Sequence, residues 1–91
     1  MPTKAEPKES TTSVVIEPWL VVLLNDEAHT FDDVIVQLMR ATNCSPDRAA
    51  EIAWEVHSKG ASICFTGSKE RCELVASILE EINLRVRLEP A

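Results

Sequence analysis

The sequence predicts an α+β domain in the order β-α-α-β-α-β, with three helices packed on one face of a three-stranded antiparallel sheet and a disordered tail in front. Three observations predict it. Apolar residues run continuously over 19–24 and alternate over 84–88, two patterns that suit strands. Between them the apolar period changes to that of a helix three times. Turn and cap residues stand at each change: Asn25-Asp26, Asn43 to Pro46, Lys59-Gly60 and Gly67-Ser68.

Each element has its reason in its residues. Trp19 to Leu24 is uninterrupted and β-rich, as expected of a strand central in its sheet or covered on both faces. From Phe31, the residues Val34, Ile35, Leu38, Met39 and Thr42 recur at helical spacing, and Asp32 and Asp33 suit the positive end of the helix dipole. Ser45-Pro46 opens a second helix with a hydroxyl cap and a proline at its first position. Its apolar stripe is Ala49, Ile52, Ala53 and Val56, and Gly60 supplies the left-handed stop after Ser58 and Lys59. Ala61 to Thr66 reads as the second strand. A third helix comes next, with Leu74, Val75, Ile78, Leu79 and Ile82 expected on its buried face. Leu84-Arg85-Val86-Arg87-Leu88 closes the fold as a strand with one wet face.

Residues 1–17 differ in kind, and 18–91 are expected to form the folded core. The segment up to Ser13 is almost free of apolar residues, so it cannot offset its ordering entropy and is expected to be a flexible extension. The chain as a whole has 91 residues and a net charge of −6, of which twelve acids and seven bases fall after residue 17. That acidity argues against nucleic acid as a partner, because phosphate binding needs clustered Lys and Arg. No apolar run is long enough for a membrane span, and the first residues lack the apolar centre of a signal peptide. Cys44, Cys64 and Cys72 are odd in number and lack metal spacing, so they read as small apolar residues in a reducing cytoplasm. No metal or cofactor is expected.

Three places carry polar groups or apolar pairs that could form a site. Asn25-Asp26-Glu27 leaves the most apolar strand, and the stretch up to Thr30 is longer and more acidic than a minimal turn. His57 lies roughly 90° from the centre of the second helix's stripe, at the border of its buried face. Trp54 lies further out, where a half-exposed indole is a frequent interaction anchor. Phe31 and Val34 face Ala53 and Val56 as apolar pairs on adjacent helices. A catalytic reading would combine Cys64 or Cys72 with His57 and Asp26. Cys64 lies inside an apolar strand and Cys72 early in a helix, so the chain is expected not to be an enzyme.

The segment Val21-Val22-Leu23-Leu24-Asn25-Asp26-Glu27, with the later Ala49 to Ala61 and its Val56-His57-Ser58-Lys59-Gly60, resembles ClpS, a family of Clp protease adaptors. The closing Leu88-Glu89-Pro90 is also similar, and the likeness covers about 18–90. The resemblance implies that the chain selects substrates by their first residue and delivers them to a Clp AAA+ unfoldase of the ClpA or ClpC type. It further implies that Asn25, Glu27 and His57 bind the free α-amino group, with Asp26, His29 and Thr30 in the neighbouring loop. A hydrophobic pocket of Phe31, Val34, Ala53, Val56 and Leu84 would take an N-terminal Leu, Phe, Tyr or Trp. An ammonium offers three donors, which suit an amide oxygen, an imidazole nitrogen and a carboxylate.

The chain departs from the family pattern at His29-Thr30-Phe31, where Thr-Pro-Met is common, and at Glu27, where Asp is common. Ala53 also stands where a methionine usually lines the pocket. Loss of the proline is expected to free the loop, and the exchanged wall residues are expected to alter the rank of preferred first residues. The resemblance implies a cytoplasmic or plastid-type setting. The alternative is an interaction module of the same fold with another partner, as in ubiquitin ligases that recognise N-terminal residues or in the ribosomal stalk. The short free-standing chain and the trio Asn25, Glu27 and His57 favour the adaptor.

Overall fold

The structure, a computed structural model, describes residues 17–91; the expected flexible extension falls almost wholly on 1–16, outside the described residues. The continuous apolar run forms strand β1 (Trp19–Leu24), which is the central strand of a sheet in the order β2-β1-β3. Both neighbours, β2 (Ala61–Gly67) and β3 (Arg85–Pro90), pair with it antiparallel. Central placement explains why β1 lacks polar alternation: Val21, Val22 and Leu23 are all buried. Leu24 pairs with Ala61 on one side and Arg85 on the other, so the strand exit sits between the ends of both neighbours. A bulge between Val21 and Val22 puts one additional residue, Cys64, into β2.

Helix α1 (Phe31–Thr42) starts on Thr30, whose hydroxyl accepts the Asp33 N–H at 3.1 Å, and ends on Asn43 in the left-handed region. Helix α2 (Pro46–Lys59) is capped by Ser45, which accepts from the Arg48 N–H, and stops at Gly60 with φ +90°. Helix α3 (Lys69–Glu80) is capped in the same way by Ser68. The Ser45 cap stands where the sequence places it, and the caps at Thr30 and Ser68 are added by the structure; each satisfies backbone N–H groups that a helix start leaves open. The core gathers Val21 and Leu23 from β1, Leu38 from α1, Ala49, Ile52 and Val56 from α2, and Cys72, Val75 and Leu79 from α3. Burying each large side chain contributes about 1.5–3 kcal/mol.

The buried face of α3 differs from the expected one. Cys72, Val75, Ala76 and Leu79 are buried, whereas Leu74 is 61% exposed and Ile82 lies beyond the helix end. Counting from Cys72, these four keep to one stripe at three- and four-residue steps, and Leu74 points roughly 200° around from it. Large size alone suggests Leu74; phase decides against it. Leu84 is buried but precedes β3, and the alternation of half-buried Val86 and Leu88 with exposed Arg85 and Arg87 matches the expected wet-faced strand. Cys44 is half-buried, while Cys64 and Cys72 are buried. Gln37 is buried because its amide donates to the Ile78 carbonyl at 2.6 Å, tying α1 to α3.

Candidate functional site

The site forms where β1 ends against the last turn of α2. The Asn25 N–H donates to the Gly60 carbonyl at 2.9 Å, which fastens the loop to the helix that carries His57 one turn earlier. Gly60 permits this because its φ of +90° lies in the left-handed region, which other residues adopt only with backbone strain. Between Leu24, the loop and the facing ends of α1 and α2 lies a half-enclosed pocket of about 50 Å³. Leu23, Leu24 and Leu84 line its inner side, Phe31 and Val34 come from α1, and Ala53, Val56 and His57 come from α2. Asn25, Asp26, His29 and Thr30 complete it from the loop. Among the described residues, neither the Asn25 side-chain amide nor the His57 ring is hydrogen-bonded to the protein.

The loop expected to be freer, where the family pattern has proline, carries several hydrogen bonds in the structure. Asp26 Oδ1 accepts the N–H groups of Ala28 and His29 at 2.9 and 3.1 Å, closing a tight turn. His29 Nδ1 lies 2.9 Å from both Asp26 carboxylate oxygens, and its Nε2 lies 2.5 Å from the Ile82 carbonyl. The ring thus bridges the loop to the segment joining α3 and β3, and Thr30 holds the next residue as a helix cap. Both ring nitrogens meet acceptors, so only the imidazolium, with two N–H donors, satisfies them together. The hydrogen bond to Asp26, then that to Ile82, raises the His29 pKa against the opposing effect of burial. Burial works against the Asp26 charge, but the hydrogen bonds from His29 and Ala28 outweigh it and leave the carboxyl below its ordinary range.

The structure brings ten of the eleven expected residues to the pocket. Glu27 is the exception: it is exposed and outside the lining. Asp26 is present, but its carboxylate is committed to His29 and the loop backbone. Sequence reasoning missed Leu23 and Leu24, since the alternation of a strand suggests that only one of two neighbours faces a given pocket. The Ile82 carbonyl had no signal in the sequence, being 53 positions from His29. At the mouth Phe31, Trp54 and His57 form an aromatic cluster with ring centroids 5.8–6.1 Å apart.

Nucleophile chemistry finds no support in these groups. Burial pushes the Cys64 thiol up to about 12 and also raises Cys72, so neither offers a thiolate near neutral pH. Asp26 orients His29 and not His57. Among the described residues no group of three or more His, Cys, Asp or Glu is placed to hold a metal ion. Among them too, no helix is long and apolar enough to cross a membrane.

A half-open apolar pocket with an uncommitted amide and imidazole at its mouth, carried on a small sheet-and-helix scaffold, defines a binding module. Residues 16–87 match the family described as ATP-dependent Clp protease adaptor protein ClpS. The chain belongs to that ClpS family. It is 38% identical over 72 residues to the Clp protease adapter protein ClpS of Thermosynechococcus vestitus, covering 77% of each chain. It is also 39% identical over 56 residues to the E3 ubiquitin-protein ligase ubr-1 of Caenorhabditis elegans, a match spanning 62% of this chain and 3% of that one. Among solved structures it superposes on Agrobacterium tumefaciens ClpS2 bound to L-phenylalaninamide with a TM-score of 0.78. That match has 21% identity and covers 84% of this chain and 99% of the other.

Proposed function

We propose that this adaptor binds the free α-amino group and the bulky apolar first side chain of N-degron substrates and delivers them to a Clp AAA+ unfoldase of the ClpA or ClpC type. The observation that carries the reading is the uncommitted Asn25 amide and His57 ring at the mouth of an apolar pocket, on segments joined by the Asn25–Gly60 hydrogen bond. An ammonium would donate to the Asn25 oxygen and to a ring nitrogen of His57, with Glu27 acting from outside the lining or through water. An internal peptide offers one neutral donor and would leave those acceptors short. That a related structure holds L-phenylalaninamide, an amino acid with a free amino group, fits this chemistry.

On this reading, residues 18–91 are the binding core, 1–17 serve as an extension used in hand-over, and the chain catalyses nothing itself in a cytoplasmic or plastid-type setting. Asp26, His29 and Thr30 hold the loop, and Phe31, Val34, Ala53, Val56 and Leu84 sort the first side chain. The pocket's volume of about 50 Å³ is well below the ~150 Å³ that accepts benzene, so aromatic residues require Phe31 to swing out. Leucine should therefore rank first, ahead of Phe, Tyr and Trp. Fluorescence anisotropy on peptides differing only in residue one tests this, with N-terminal acetylation as the control. Acetylation should abolish binding, and His57→Ala should weaken it by about 1–3 kcal/mol. Equal affinity for acetylated and free peptides would refute the site. Co-purification of a ubiquitin-transfer partner in place of an AAA+ unfoldase would favour the ligase-type reading that the ubr-1 similarity raises.

A further inference from the structure

The loop that presents Asn25 is fastened at two points. On one side the Asn25 N–H donates to the Gly60 carbonyl, close to the helix turn that bears His57. On the other, Asp26 and the His29 ring join the loop to the Ile82 carbonyl. Leu84, two residues beyond Ile82, is buried and lines the inner side of the pocket. The turn between them is itself held: Asn83 has φ +66° and donates its N–H to the Glu80 carbonyl, and the Leu84 N–H donates to Leu79. Asp26 also stands directly between Asn25 and Glu27 in the chain. Fixing its carboxylate, and the Ala28 and His29 N–H groups that it accepts, limits where both neighbours can point.

The groups around the ring come from every element that packs on it. The loop brings Asp26, and α1 brings Asp33, which lines a second cavity of about 300 Å³ together with His29, Gln37 and Ile82. The end of α3 brings the Ile82 carbonyl, while Glu81 there is engaged by Gln37 and Arg40, 3.5 Å from each. Across the pocket α2 brings His57. Two carboxylates and a carbonyl around one imidazole favour its charged form, and the ring then donates on both sides at once. A flat ring bonded at both ends is a strut of fixed length between the loop and the segment before β3.

We infer that His29 is a positioning residue for first-residue capture: its ring ties the loop that presents Asn25 to the segment that presents Leu84, so the amino group and the first side chain meet a site of one fixed width. The inference rests on the proposed capture of the first residue at Asn25 and His57. Both ring nitrogens of His29 are spent on the protein, so it acts through Asn25 and Leu84 and makes no hydrogen bond to the ligand. A site held in its bound shape loses less freedom on binding and so binds more tightly. When the ring gives up its proton it donates only once. One end of the strut is then released, and the two halves of the site move independently.

The test titrates leucinamide, which ends at residue one, into the wild type, His29→Gln and His29→Arg at pH 6 and pH 9. Titration of the ligand's own amino group and of His57 is common to all three proteins and cancels in the ratio of their affinities. The wild type should bind about five- to tenfold tighter than His29→Gln at pH 6, and about twofold or less at pH 9, where a neutral ring donates no more than the glutamine amide does. His29→Arg keeps a charge and several donors at both pH values, so its advantage over His29→Gln should not change with pH. Circular dichroism of the same samples gives the folded fraction, which separates a loss of binding from unfolding. A ratio of wild type to His29→Gln that is equal at the two pH values overturns the inference. So does a His29→Arg advantage that falls with pH as the wild type's does, because the titrating group would then lie elsewhere. Failure of leucinamide to bind the wild type at either pH instead overturns the first-residue reading, and this inference with it.

Discussion

Replacing His29 by glutamine removes a side chain that ties the β1–α1 loop to the segment joining α3 and β3. The ring makes a charged hydrogen bond to Asp26 at 2.9 Å and a second one to the Ile82 carbonyl, with the two side chains only 15% and 13% exposed. A hydrogen bond to a charged group contributes about 1.5–3 kcal/mol and a neutral one about 0.5–1.5 kcal/mol. Partial solvent access puts the sum at the low end, about 2 kcal/mol, or about 8–16 °C in Tm for a domain of this size. The direction of each shift sets the sign of the pH dependence. The His29 pKa is raised, so its contribution is complete below the unfolded value of about 6.5 and is lost as pH rises through the folded value. The Asp26 pKa is lowered, so its contribution is present above about 3.9 and fades as pH falls through the folded value. The clamp is therefore strongest between those limits. Urea denaturation of wild type and His29→Gln at pH 5.5 and pH 9 should show the difference of about 2 kcal/mol at the lower pH and less than half of it at the higher. A neutral imidazole has one N–H and cannot donate to both acceptors. Equal differences at the two pH values would refute the imidazolium clamp.

The same geometry predicts two further outcomes. Gly60→Ala should cost about 1–2 kcal/mol in denaturant melts, from the left-handed backbone alone, since nothing lies within 4 Å of the added carbon. Ala53→Met should fill most of a cavity of about 50 Å³ from a buried wall, lowering affinity for N-terminal Trp and Tyr peptides about tenfold more than for Leu peptides in anisotropy titrations. A uniform loss across first residues would show that Ala53 does not sort them.

The order of elements, the Ser45 cap, the Gly60 stop and the stripe of α2 are legible in the sequence because each rests on local chemistry. A serine or threonine oxygen three residues from an open N–H, or a glycine at a positive φ, needs no distant partner to act. The resemblance to ClpS, carried by Asn25-Asp26 and by His57 three residues before Gly60, locates nearly the whole pocket. Where sequence and structure differ, a helix phase or a distant partner is the missing quantity. Leu74 and Cys72 sit on the same helix, and hydropathy ranks them in the order opposite to that in which the fold buries them.

The net charge of −6 and the apolar run of β1 constrain what such a chain binds and where its sheet is centred, both being properties of residues taken singly. Only the tertiary structure decided what each acid does. It turned Asp26 inward to His29, left Glu27 outside the lining, and set Trp54 on the rim against Phe31. The physical reason is that a hydrogen bond or ring contact depends on ångström distances between residues as far as 53 positions apart, and chain order does not encode such distances directly. The His29 imidazole, which bridges the Asp26 carboxylate and the Ile82 carbonyl, is a contact of that kind.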